Sequence, residues 1–178
     1  MRVPTDLMTD TDLTHVVSSA HLADSGFPEL SEFEFGLTLS NHAFHRWMMR
    51  AIALAGHPDM SALDVLVLHS THHRGRPKTL ADICLVLNIE DTHTVNYSVK
   101  KLRKAGLVAE GRLGKEKTVT TTDKGAEVCT RYREIRNALL LEALDELGIE
   151  RDQVSRLSRL LRLMAGQYDQ AARAAATY

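Results

Sequence analysis

A mainly α fold with one small β element (α+β) is predicted by three features of the sequence. Apolar residues recur at steps of three and four along several segments. Most of those segments start on Ser, Thr or Asp, and three of them stop at a Gly (Gly56, Gly106, Gly148), the residues that cap helix ends. One stretch only, residues 107–121, alternates instead, around Gly111 and Gly114. The chain has 178 residues, 44% of them hydrophobic and 5% aromatic, so Leu, Val, Ile, Ala and Met must build the core. That length suits one compact domain with an extension.

The elements follow in order. Residues 1–31 are polar and acidic, with Gly26 and Pro28 near their end, and "VVSSAHLA" allows only a short helical turn. A long helix is expected from a Ser31-x-x-Glu34 capping box to Gly56, with Phe33, Leu37, Phe44, Trp47, Met48, Ala51 and Leu54 as its apolar side. Ser61 caps "ALDVLVLHSTHH", with Leu63, Leu66, Val67 and Ser70 along one side. "RGRPK" reads as a loop. Thr79 caps "LADICLVLN", with Leu80, Ile83, Cys84 and Leu87 inward, and "NIED" is a turn. Asp91 or Thr92 then caps "THTVNYSVKKLRKA", whose apolar stripe is narrow (Val95, Val99, Leu102) and which stops at Gly106. A hairpin with a basic tip follows. Thr122 caps "DKGAEVCTRYREIRNALLLEALDEL", closed by Gly148. The last helix, from about Arg151, carries Val154, Leu157, Leu161, Met164, Tyr168, Ala171 and Ala175. That spacing is an a/d seam, which asks for a partner helix, expected from a second subunit.

Two short helices joined by a turn and followed by a hairpin make a winged helix-turn-helix, expected here with about six helices and a two-stranded wing. The charge distribution agrees with that reading. The net charge is −1, yet residues 1–40 hold one cation against seven anions and residues 74–124 eleven cations against six anions. A basic middle in a neutral chain is the electrostatic footprint expected for nucleic acid. The helix after "NIED" presents Thr92, His93, Thr94, Asn96, Tyr97, Lys100 and Lys101, short polar and basic groups suited to base edges and phosphates in a major groove. The wing tip brings Arg112, Lys115 and Lys117, and the preceding loop Arg74, Arg76 and Lys78, for phosphate.

These same residues carry a family resemblance. "TLADICLVLNIEDTHTVNYSVKKLRKAGLV" followed by "GRLGKEKTVTTTDKG" resembles the MarR family of bacterial winged-helix transcription regulators, through Leu80, Leu87, Val95, Leu102, Gly106, Leu107, Val108, Thr122, Lys124 and Gly125. The likeness spans about residues 31–175. It implies a dimerisation helix (32–57), a DNA-binding lobe (58–125) and C-terminal dimerisation helices (126–178), while the acidic extension (1–31) is a departure, being longer than the family minimum. It also implies a homodimer on a pseudo-palindromic operator in double-stranded DNA, acting as a repressor. A small aromatic effector is implied too, between dimer base and DNA-binding lobe, with His45, Trp47, Met48, Met49, Leu66 and His69 as candidate contacts. One departure stands out. The family wing commonly carries an Asp–Arg salt bridge; "GRLGKEK" keeps Arg112, lacks the Asp and substitutes Lys115 and Lys117, so a wing of different shape or altered minor-groove contact is expected.

The histidines support a second reading. His69 and His73 are one helical turn apart, as are His42 and His45, so a zinc-sensing regulator of the same fold is an alternative. No Cys or carboxylate completes that set locally, and cations at a helix end suit its dipole, so phosphate contact by Arg74, Arg76 and Lys78 is preferred, with the histidines as helix-end partners. A third reading is a winged-helix module that binds protein and not DNA. Cys84 and Cys129 read as small buried hydrophobes in a reducing compartment, a redox pair being the second option. No catalytic constellation or phosphate-cradling Gly loop is present, so no enzyme and no cofactor are expected. The first residues lack a basic-then-apolar signal pattern and no apolar run reaches membrane length, so the expected location is the cytoplasm.

Overall fold

Two compact units make up the computed structural model, one ending at Asn137 and one beginning at Ala138, with residues 16–24 and 26–178 described. Residues 1–15 of the expected acidic extension lie outside the described residues.

In the first unit, a short helix α1 (Ala20–Ala23) falls within "VVSSAHLA". The long helix α2 spans Pro28–Leu54 and starts earlier than the sequence suggests. Pro28 sits in its first turn, where a missing N–H costs nothing and the fixed φ is already helical. Ser31 is therefore inside the helix and buried, not its N-cap. Apart from Ser31, α2 is buried only in its C-terminal third, through Met48, Ala51 and Ile52; Leu37, Phe44 and Leu54 of the expected apolar side are exposed. Helix α3 (Ala62–His72) begins on a capping box: Asp64 N–H donates to Ser61 Oγ at 3.2 Å, and Ser61 N–H to Asp64 Oδ2 at 2.8 Å. Its buried residues are Ala62, Asp64, Val65, Val67, Leu68, Ser70 and Thr71, so Val67 and Ser70 of the expected side are inward, while Leu63 and Leu66 are only partly buried. Helix α4 (Leu80–Leu87) has the same box from Thr79 and Asp82 and stops at Asn88 in the left-handed region.

Helix α5 (Thr92–Lys104) is capped by Asp91, whose carboxylate accepts from His93 N–H at 2.9 Å. Strands β1 (Val108–Leu113) and β2 (Glu116–Thr121) pair antiparallel, Leu113 opposite Glu116. The loop is thus Gly114–Lys115, with Gly114 at φ 62 as a two-residue hairpin requires, while Gly111 lies within β1. Lys78 pairs with Val119 through both backbone groups, at 3.0 and 2.8 Å, which pins the base of the hairpin to the chain entering α4. Helix α6 (Asp123–Arg136) is capped by Thr122. One core unites these elements: Met48 and Ile52, Val65 and Leu68, Ile83, the narrow stripe Val95, Val99 and Leu102, then Leu107, Val119, Val128 and Tyr132.

The expected single helix from Thr122 to Gly148 is interrupted. A π-helical segment, Asn137–Leu141, separates α6 from α7 (Glu142–Glu146), and Gly148 ends α7 at φ 66. A π turn shifts the apolar face by part of a turn, which a capping and periodicity pattern does not encode. In the second unit, α8 (Arg151–Ala175) contains no buried residue, and Val154, Leu157, Leu160, Leu161 and Leu163 are exposed. Among the described residues, no helix is long and apolar enough to cross a membrane.

Candidate nucleic-acid interface

The stripe that buries α5 decides which of its side chains face outward. With Val95, Ser98, Val99 and Leu102 buried, His93, Asn96, Tyr97, Lys100 and Lys104 fall at helical spacing on the opposite side. Tyr97 is 71% exposed. Thr92 and Thr94 are exposed at the N-terminal end, the Thr94 hydroxyl donating to Asp91 C=O at 2.8 Å. Lys104, on this face, is a residue the sequence reading passes over; its position, one helical turn after Lys100, is the signal that finds it.

Two of the expected phosphate ligands are engaged elsewhere. Lys101 turns back toward α3, its Nζ 2.7 Å from Asp64 Oδ2. Its charge is paired with a buried carboxylate, whereas Lys100 is exposed. Lys78 is 4% exposed, and its ammonium donates to the carbonyls of Thr71, at 3.0 Å, and His73. It closes the C-terminal end of α3 from within, where cations satisfy orphan carbonyls. Burial first, then Arg76 and Arg74, pulls its pKa below that of an ordinary lysine. Arg103 is also paired, with Glu110 of β1 at 2.6 Å.

Arg74 and Arg76 remain exposed on the loop. Arg74 sits at φ 62 and Gly75 at φ 58, two consecutive left-handed residues that reverse the chain after α3. For Arg that conformation carries strain of about 1 kcal/mol or more. On the wing, Arg112, Lys115 and Lys117 are exposed, and Arg112 stands directly opposite Lys117 across the strands. Like charges in that position repel. An anion between them would relieve the repulsion, and a DNA phosphate is such an anion.

The six candidate effector contacts do not converge. Met48 belongs to the core, while Met49, the next residue of α2, is exposed. His45 is half-buried, and Leu66 packs against the core. Trp47 and His69 do meet one feature absent from the sequence reading, Tyr132 of α6. The His69 and Tyr132 rings meet edge to face with centroids 4.7 Å apart, and Trp47 hydrogen-bonds the Tyr132 side chain. His69 Nε2 is buried with no hydrogen-bond partner. Burial, with His72 second, holds the His69 pKa below its ordinary value of 6.5.

A pH dependence follows. The unfolded chain takes up a proton at this histidine near pH 6.5, the folded chain only at lower pH. The contribution is fully present above that pH and is lost as pH falls through it, until the folded histidine is itself charged. Urea midpoints at pH 7.5 and 5.5 are expected to differ less for His69→Phe than for the unaltered protein; equal differences would remove His69 as the cause.

The four-histidine metal site does not form. Among the described residues, no three His, Cys, Asp or Glu side chains gather to hold an ion, and His69 is packed on Tyr132. Cys84 and Cys129 are free thiols and buried, and burial pushes the Cys129 thiol up to about 11, so it stays protonated and inert.

Residues 60–125 match the family profile of the winged helix DNA-binding domain. No curated protein matches the chain in sequence. Several solved structures share its fold. A MarR-family transcriptional regulator from Rhodococcus sp. RHA1 is 15% identical, with a TM-score of 0.63 over 80% of this chain and 96% of that one. A mutant MarR from E. coli complexed with operator DNA is 19% identical, with a TM-score of 0.63 over 79% and 99%. CouR from Rhodococcus jostii RHA1, bound to p-coumaroyl-CoA, is 15% identical, with a TM-score of 0.60 over 75% and 91%. The chain shares the winged-helix fold of these structures.

Proposed function

We propose that this chain, which carries a winged helix DNA-binding domain in the MarR-type fold, is a transcription regulator that binds double-stranded DNA as a homodimer. The observation that carries the reading is the pairing of two outward surfaces. Helix α5 buries a narrow stripe and leaves His93, Asn96, Tyr97, Lys100 and Lys104 outward, and the hairpin beside it sets Arg112 against Lys117. The first surface fits a major groove, where Asn96 can pair bidentately with adenine, and the second fits the flanking backbone. The solved complex of the E. coli mutant MarR with operator DNA supports the same use of the fold.

Two copies place two α5 helices in successive major grooves, so the operator is pseudo-palindromic, its half-sites about 34 Å apart. The partner surface is the exposed apolar side of α8. Repression follows from the resemblance to the MarR family, as does a small aromatic effector; the CouR complex with p-coumaroyl-CoA supports such a ligand in this architecture. An effector weakens operator binding only by its difference in affinity for the DNA-bound and free arrangements. A cytoplasmic location goes with action on DNA.

The test is titration of the protein against the DNA upstream of its own gene at several salt concentrations. The affinity is expected to fall steeply with salt, and Lys100→Met or Arg112→Met each to flatten the slope by about 1.8, one lost contact of about 0.9 in each of the two subunits. The competing reading, a winged helix that binds protein, predicts no dependence of its complex on these cations. Binding indifferent to both salt and sequence would refute the regulator.

A further inference from the structure

A polar joint lies beneath the outward face of α5. Asp64, in the first turn of α3, is 1% exposed. Its carboxylate accepts from Ser61 N–H at 2.8 Å and from Lys101 Nζ at 2.7 Å, both at Oδ2. Ser98, 2% exposed and one turn before Lys101, also hydrogen-bonds this carboxylate. Lys101 donates a second time, to the Asp59 carbonyl in the chain entering α3. Burial alone would raise the Asp64 pKa, but the donors from Lys101, Ser61 and Ser98 hold it below the usual carboxylate value. The joint stays charged at neutral pH.

A buried ion pair of this kind adds little net stability over apolar packing. What it supplies is direction. Val95, Val99 and Leu102 set which face of α5 turns outward, but apolar contacts are non-directional and leave small adjustments of roll and slide to be fixed by other groups. A carboxylate held by its own helix cap, and bonded to two successive turns of α5, removes that freedom. We propose that Asp64, Ser98 and Lys101 are positioning residues that fix the roll of the DNA-reading helix, so that operator affinity depends on a side chain that no DNA reaches. The proposal rests on the DNA-binding reading above.

The test compares salt slopes on one operator duplex. A phosphate ligand and a positioning residue both weaken binding when removed, but only the first changes the slope. Lys101→Met is expected to weaken binding about tenfold at every salt concentration with an unchanged slope. Lys100→Met should flatten the slope by about 1.8, one contact of about 0.9 in each subunit. Lys101→Arg, which keeps the charge and can reach the carboxylate, should recover most of the loss. Asp64→Asn should weaken binding by a similar factor, and the Asp64→Asn, Lys101→Met double variant no further than either alone. Each variant is checked by thermal melting to be fully folded at the assay temperature, which separates positioning from loss of protein. Should Asp64→Asn fail to fold, the slopes of Lys101→Met and Lys101→Arg decide alone. A Lys101→Met slope flattened by about two units, one in each subunit, makes Lys101 a phosphate ligand and overturns the proposal, as does affinity equal to the unaltered protein. Absence of DNA binding by the unaltered protein refutes the regulator instead, and the positioning role falls with it.

Discussion

Gly125→Ala is expected to destabilise the first unit by about 3 kcal/mol or more, near the upper end for forcing an atom into a packed interior. Gly125 lies in the first turn of α6, where its N–H donates to Thr122 Oγ1 at 3.1 Å. A Cβ there would stand 2.0 Å from the Leu107 carbonyl oxygen and 2.8 Å from Thr121 Cγ2. The carbonyl cannot swing away, because it accepts from Thr122 N–H at 3.1 Å. Leu107 is itself fully buried, and its N–H bonds Leu102 C=O at 2.9 Å, so a shift there pulls on the end of α5. The substitution would therefore loosen the joint between the DNA-reading helix, the wing and α6 together. Gly36 is the internal control. It lies in the exposed part of α2, where a Cβ would meet nothing within 4 Å, so Gly36→Ala should stabilise by about 0.5–1 kcal/mol. Urea unfolding gives both values from the shift in midpoint at constant slope. A Gly125→Ala change smaller than about 0.5 kcal/mol would mean that the Leu107 segment yields freely.

Where the sequence is legible, the reason is local chemistry. Ser61, Thr79, Asp91 and Thr122 each cap the helix expected of them, because a cap and its N–H partners lie within a few residues. The narrow stripe Val95, Val99, Leu102 is readable for the same reason, and it fixes the outward face of α5. Ser31 misleads because Pro28, three residues earlier, is the better first-turn residue and the helix simply starts there. The fate of a cation is a different matter. Lys100 and Lys101 are identical in type and adjacent, yet one is exposed and the other is bound to Asp64, thirty-seven residues away in sequence. Lys78 reads as part of an Arg-rich loop, but the pairing of its own backbone with Val119 carries its side chain inward to α3. Tyr132 gives no signal of its own, because only the meeting of α3 and α6 gives it His69 as a neighbour. Partners distant in sequence decide these cases, and charge or hydropathy at the residue does not carry that information.

The Leu157→Glu, Leu161→Glu double variant is expected to turn a dimer into a monomer. Leu157 and Leu161 are one turn apart on α8 and are 53% and 37% exposed in the single chain. Val154 precedes them and Met164 follows at the same three- and four-residue spacing, so the exposed side is a seam and not a scatter of single leucines. Burying one leucine contributes about 1.5–3 kcal/mol, and two-fold symmetry counts each position twice. Each is already partly covered within the single chain, so losing all four removes about 3 kcal/mol of dimer contact at the low end, some two powers of ten in the dissociation constant. The added carboxylates oppose association further, because each would have to leave water without a partner. Arg156→Ala is the control on the same helix. It breaks only the exposed pair with Asp152, at 2.7 Å, and such pairs contribute little. Sedimentation equilibrium reads the mass directly, and operator binding should weaken in step, since a monomer engages one half-site and loses the second contact's effective concentration. A double variant that stays dimeric would move the interface off α8. The exposed Leu37 and Phe44 of α2 would then be the surface to substitute next, because they are large apolar side chains left uncovered on another long helix.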